Sequence, residues 1–334
     1  MLERFLPKQD FESYEDFAAN FSVTIPEGFN FAYDVIDVLA QERPNKTALV
    51  WCDEGGAEAQ FTYADIKSRS DQAANVFAAA GIGKGDPVLL LLKRRHEYWP
   101  ILLALHKLGA IAIPATHLLT TKDIVYRCEA ADIAAVVCVD EEQVMLRVDE
   151  AEAKLGGKSL LRYKAFVRSA HAPAGLDIAA RAAAASAKVA AASPVPWADF
   201  NALRAAASAS FTPPKTRTVN DDIMLLYFTS GTTGMPKMVR HNFAYPLGHI
   251  LTAKYWHSAQ DGGLHLTVAD TGWAKAAWGE DIRPMALRDR YLRVRLRQVC
   301  PRGDAQDNQQ IPGHHLLRPP DDLPLLYKGR FDEV

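Results

Sequence analysis

The residues best suited to chemistry sit in one short stretch, Thr229-Ser230-Gly231-Thr232-Thr233-Gly234-Met235-Pro236-Lys237. Thr229, Ser230, Thr232 and Thr233 supply hydroxyl donors. Gly231 and Gly234 let the backbone turn through angles closed to other residues, and they leave room for a ligand to touch the main chain. Successive backbone N–H groups in such a turn form a concave anion site. Lys237 adds a mobile point charge of the sign a phosphate needs. Pro236 stiffens the exit. The stretch reads as a triphosphate cradle. An ordinary Gly/Thr turn is the competing reading of residues 230–234 alone, and Thr229 before them with Pro236-Lys237 after them weighs against it. The spacing is not the Gly-x-x-x-x-Gly-Lys-Ser/Thr loop, because Pro236 precedes the lysine and Met238 follows it. An unrelated P-loop phosphotransferase is therefore the weaker alternative.

A cradle of this kind needs a rigid strand to launch it. Residues 223–228, Ile-Met-Leu-Leu-Tyr-Phe, have the length and composition of a buried strand. Further strands are predicted at 48–51, 87–92, 111–114, 133–139 and 264–268. Helical spacing appears at 31–41. A helix from Thr62, a good N-cap, runs to about residue 80. Another covers 98–108 and ends at Gly109, and 243–255 reads as helix despite Pro246 and Gly248. Alternating strands and helices imply an α/β fold, a mostly parallel sheet covered on both faces. Asp270, Thr271, Gly272 and Trp273 then fall at a strand end, where ligands collect in open parallel sheets. A core aromatic is the competing reading of Trp273. His241, His249, His257 and His265 form no metal-binding spacing, and no metal ligand is assigned.

Composition bounds the function. At 334 residues with 49% hydrophobic content, the chain builds a real core. A net charge of −2 argues against nucleic acid as the main partner. No apolar run approaches the roughly 20 residues of a membrane helix, and residues 1–4 show no signal-peptide pattern. Cys52, Cys128, Cys138 and Cys300 are widely spaced and suggest reduced thiols, hence a cytoplasmic location. Residues 165–210 differ from the rest. Their centre is nearly all Ala with Ser, Lys and Arg, which reads as an exposed, partly helical insertion or linker.

Residues 229–237 resemble the phosphate loop of the adenylate-forming enzymes. Met238-Val239-Arg240-His241, Tyr245 to His249 and Ala269-Asp270-Thr271-Gly272-Trp273-Ala274-Lys275 are similar to the acetyl- and medium-chain acyl-CoA synthetases. Residues 61–66 and 108–114 resemble core segments of the same family. The resemblance covers residues 1–279 and implies part of the family's large N-terminal domain. It implies ATP, Mg²⁺ and CoA, with a small-molecule carboxylic acid as substrate. It places Thr229, Ser230, Gly231, Thr232, Thr233, Gly234 and Lys237 on the β- and γ-phosphates. It places Asp270, Thr271, Gly272 and Trp273 beside the acyl group. The family's catalytic lysine lies in a later domain with no counterpart here, so no catalytic residue is assigned.

The family pattern breaks after Trp278-Gly279. Residues 280–334 hold nine Arg and one Lys and show little helix or strand period. Read one base out of register, the codons of residues 280–286 permit Lys-Ile-Tyr-Gly-Gln-Trp, a run typical of the family. The sequence therefore predicts an out-of-frame tail without native fold. It further predicts a truncated, inactive synthetase, or alternatively a residual nucleotide-binding fragment.

Overall fold

The computed structural model describes residues 2–53, 55–172, 177, 180, 195–229, 234–257, 259, 263–267, 269–274, 276 and 290–295. The strands are β1 Thr47–Asp53, β2 Glu58–Thr62, β3 Pro87–Leu91, β4 Ile111–Pro114, β5 Ala135–Val139, β6 Tyr163–Val167, β7 Trp197–Asp199, β8 Ile223–Thr229, β9 Lys237–Asn242, β10 Leu264–Thr267 and β11 Arg290–Arg295. The helices are α1 Tyr14–Asn20, α2 Val38–Glu42, α3 Tyr63–Ala79, α4 Tyr98–Leu108, α5 Thr121–Ala131, α6 Glu142–Leu155, α7 Phe200–Ala206, α8 Tyr245–Gly248 and α9 Ile250–Tyr255. They form two sheets, one of seven strands in the order β7-β6-β5-β3-β4-β8-β9 and one of four in the order β10-β11-β1-β2. In the larger sheet every pairing is parallel except that of β8 with β9.

The local signals act as their chemistry requires. In α3 the Thr62 hydroxyl accepts the Asp65 N–H and the Asp65 carboxylate accepts the Thr62 N–H. Thr120 and Asp123 start α5 in the same way. This reciprocal capping satisfies donors that the first turn of a helix leaves free. Along β3, Val88 and Leu90 face one core with α3 and α4. Leu89 and Leu91 face a second core with Ile124 and Cys128 of α5 and with Val144 and Val148 of α6. Strand residues alternate sides, so the continuous apolar runs of β3 and β5 fill both cores.

Two buried lysines tie the layers together. Lys107 of α4 bonds Asp37 at 2.9 Å and Asp71 of α3 at 2.6 Å. Lys164 of β6 bonds Asp149 and Glu152 of α6 at 2.6 and 2.8 Å. Removing one member of such a pair typically costs about 3–5 kcal/mol, because the other charge stays buried.

Three sequence expectations differ from the structure. The span 165–210 is not an insertion throughout. Ala165, Phe166 and Val167 are fully buried in β6, and residues 197–206 form β7 and α7. The Ala-rich residues 181–194 lie outside the described residues. The expected helix at 243–255 is two short ones, α8 and α9, meeting at His249. The tail expected to lack structure supplies β11, seated between β10 and β1; residues 280–289 and 296–334 lie outside the described residues. Among the described residues no helix is long and apolar enough to cross a membrane.

His106 of α4 has no exposed surface and stands edge-on to Phe243 at 6.0 Å. Neither ring nitrogen bonds a described residue, and burial pushes its pKa down to about 3 from the ordinary 6.5. Below pH 6.5 the unfolded chain takes up a proton that the folded chain refuses. The contribution of this ring to stability is therefore complete above pH 6.5 and falls as pH drops toward 3. The loss amounts to about 2 kcal/mol at pH 5. Urea unfolding at pH 7.5 and pH 5 should show His106→Leu losing less stability on acidification than the parent by that amount. An unchanged pH dependence would mean the ring ionises in the folded state.

Candidate functional site

In a parallel sheet the carboxyl ends of neighbouring strands share one edge. Here that edge carries the ends of β5, β3, β4 and β8. β8 is buried from Met224 to Tyr227 and emerges to an exposed Thr229. Ser230, Gly231, Thr232 and Thr233 lie outside the described residues. The chain is described again at Gly234, whose φ of +91° is one an L side chain rarely adopts. It re-enters the sheet at Lys237, the first residue of β9, which pairs antiparallel with Thr229. The Thr229 hydroxyl donates to the Lys237 carbonyl at 3.5 Å. Strands β8 and β9 thus pair as a hairpin, with an exposed Thr229 and an exposed Lys237 on its two arms. The sequence reading placed a strand before this loop and missed the one after it.

Helix α5 supports the hairpin from one side. The Tyr126 hydroxyl donates to the Pro236 carbonyl at 2.8 Å. Its ring stands edge-on to Phe228 at 6.0 Å. The neighbouring Arg127 guanidinium lies 4.9 Å from the same Phe228 ring, and burial lowers its pKa.

The second group, Asp270 to Trp273, docks on the ends of β3 and β4. The Thr271 side chain is buried, and its hydroxyl donates to the Lys93 carbonyl just beyond β3. Gly272 lies so close to the backbone of Ala115 and Thr116, just beyond β4, that a Cβ would overlap it. Asp270 shapes the turn by accepting the Gly272 N–H at 2.8 Å. Its carboxylate also lies 3.8 Å from His117 Nδ1. Burial lowers the pKa of His117, as do the positive charges of Lys93 and Arg94, while Asp270 and Glu141 oppose the shift. Trp273 is 65% exposed, which is unlike a core aromatic. Lys93 pairs with Glu141, and Arg95 with Asp140 at 2.9 Å. Sequence reasoning named none of Lys93, His117, Tyr126 or Arg127. Their only local signal is position, just past β3, just past β4 and within the next helix.

The AMP-binding enzyme family matches residues 36–277. The mitochondrial acyl-coenzyme A synthetase ACSM5 of Mus musculus is 33% identical over 261 residues, 76% of this chain and 40% of that protein. The mitochondrial acyl-coenzyme A synthetase ACSM3 of Homo sapiens is 30% identical over 283 residues, 83% of this chain and 43% of that protein. The crystal structure of the Brucella canis acyl-CoA synthetase shares the fold at a TM-score of 0.69 and 21% identity, over 90% of this chain and 51% of that one. The anthranilate CoA ligase AuaEII, solved with anthranoyl-AMP, shares it at 0.62 and 20% identity, over 80% of this chain and 45% of that one. The chain belongs to the AMP-binding enzyme family. Within it, the homologues over the N-terminal part of the chain are acyl-coenzyme A synthetases. The chain spans about two fifths of the length of these curated relatives.

The docking of Gly272 is tight enough to test. Gly272→Ala must push the turn off the ends of β3 and β4, since the obstructing atoms are backbone. It should cost about 1–3 kcal/mol of stability, as overpacking does, and should shift the tryptophan emission spectrum. Wild-type urea midpoint and spectrum in the variant would show that the turn is not held there.

Proposed function

We propose that this chain carries the phosphate loop and acyl-facing turn of an enzyme that activates a carboxylic acid with ATP and passes it to CoA. The observation that carries the reading is the Thr229–Lys237 hairpin mouth, at the same sheet edge as the docked Asp270–Trp273 turn. In the first step a carboxylate oxygen attacks the α-phosphorus of ATP. The bond to the β-phosphate bridging oxygen breaks, and pyrophosphate leaves with the electron pair. In the second step the CoA sulfur attacks the acyl carbonyl, its proton is lost, and AMP departs. Thr229, Ser230, Gly231, Thr232, Thr233, Gly234 and Lys237 hold the β- and γ-phosphates. Lys237 opposes the charge that builds on the leaving pyrophosphate, and such stabilisation acts at the transition state. Asp270, Thr271, Gly272 and Trp273 border the acyl group. The described residues hold no cluster of three acidic, His or Cys side chains fit for a metal.

The same proposal extends to the residues after Gly279. Residues 280–286 permit the family's Lys-Ile-Tyr-Gly-Gln-Trp in the neighbouring frame, so we read one extra base near codons 279–280. On this reading the 334-residue chain alone does not complete the reaction. Resequencing the gene around codon 280 tests the frame directly, and an unaltered codon order there sinks it. With the frame restored and the downstream sequence supplied, thioester synthesis from ATP, octanoate and CoA should appear. In that protein Lys237→Ala should slow ATP–pyrophosphate exchange by about 10²- to 10³-fold, the usual cost of losing one charge partner in an active site. Exchange at the parental rate would remove the loop from the mechanism.

A further inference from the structure

We propose that Tyr126 is a positioning residue for the phosphate loop, holding Phe228 and Pro236 at its two feet so that Thr229 and Lys237 face a triphosphate together. This rests on the phosphate-loop reading above and adds a residue to it.

The loop needs such a support. It contains Gly231 and Gly234, and glycine loses more backbone freedom on ordering than any other residue. Its return arm is the edge strand β9, where residues 237–240 are exposed on both faces. Among the described residues, pairing with β8 holds β9 from one side only. Tyr126 grips the loop at the residues that directly precede its two charged and polar arms. Phe228 precedes Thr229, and Pro236 precedes Lys237. A proline has no N–H to donate, so its carbonyl is the hydrogen-bonding group by which the backbone can be held there.

The base under Tyr126 is rigid. Helix α5 is capped at its start by Thr120 and Asp123. Ile124 and Cys128 lie in the core, one residue pair either side of Tyr126. Thr121 donates to Glu150 of α6 at 2.6 Å. Arg127, itself fixed to the Asp123 carbonyl at 3.0 Å, covers Phe228. A ring merely filling space at the helix surface would not need its hydroxyl. The 2.8 Å bond to Pro236 is the part that Phe cannot supply.

The test uses the 334-residue chain and inorganic tripolyphosphate, with affinity measured by calorimetry beside the thermal midpoint. Tyr126→Phe keeps the ring and removes the bond to Pro236. It should weaken tripolyphosphate about three- to tenfold, the range for one lost hydrogen bond. The thermal midpoint should stay within about 2 °C, since the ring still packs. Amide exchange should quicken at residues 234, 235 and 237 and not in α3 or α4. Lys237→Ala serves as the control for the loop itself. If Lys237→Ala weakens the anion and Tyr126→Phe does not, the brace is wrong and the loop reading stands. If neither variant alters binding, or the parent chain binds no tripolyphosphate, the loop reading falls and the brace falls with it. If Tyr126→Phe lowers affinity only together with a large drop in midpoint, Tyr126 merely holds the fold, and the proposal is overturned.

Discussion

A strand buried on both faces of a parallel sheet cannot be joined to its neighbour by a tight turn. The chain must cross over a face, and the crossover is usually a helix. That constraint organises this protein. β3, β4, β5 and β8 all point the same way, so each delivers its following loop to one edge. Lys93, His117, Glu141 and Thr229 are far apart in sequence and meet at that edge for this reason. The strand order also reverses at β3, with β4 on one side and β5 on the other. Such reversals open a crevice between diverging loops, and ligands occupy it in open α/β sheets.

The platform beneath this edge is held by burial and by paired charge together. Fully buried Lys107 and Lys164 each meet two carboxylates. Desolvation offsets much of the attraction in such clusters, so their net contribution to stability is modest. Their effect is on arrangement. Lys107 ties α4 to Asp71 of α3 and to Asp37, and Lys164 ties β6 to Asp149 and Glu152 of α6. A misaligned helix would strand a charge in the core. The site groups stand in contrast, since Thr229, Lys237 and Trp273 are all exposed above this platform.

Lys93 connects the platform to the site. It follows β3 with a φ of +49°, a conformation that costs a non-glycine residue about 1–3 kcal/mol unless its surroundings hold it. Its side chain is held by Glu141 and its carbonyl by the Thr271 hydroxyl. The left-handed turn at this residue directs its carbonyl to the Thr271 turn while its ammonium reaches the end of β5. Local strain here coincides with the point where the second sheet's chain segment is fastened to the first.

Much was legible in the residues themselves. The strands at 111–114 and 223–228, the helix behind Thr62 and the stop at Gly109 each follow from a local signal. The phosphate role proposed for residues 229–237 also starts from a local signal, hydroxyls, glycines and a lysine at fixed spacing. The expected insertion at 165–210 was drawn too wide because β6 and β7 flank its Ala-rich centre, and β7 is an edge strand of only three residues beside β6. What only the tertiary structure decided is adjacency. No periodicity says that β8 lies beside β4 and not beside β6 or β7, or that Tyr126 reaches a carbonyl 110 positions away. Local rules act over a few residues through backbone sterics and capping, whereas strand order is selected by how whole faces bury against one another. The sequence alone therefore determined where hydroxyls, glycines and a lysine are grouped in one short stretch, and the packing of crossovers decided which other residues stand around it.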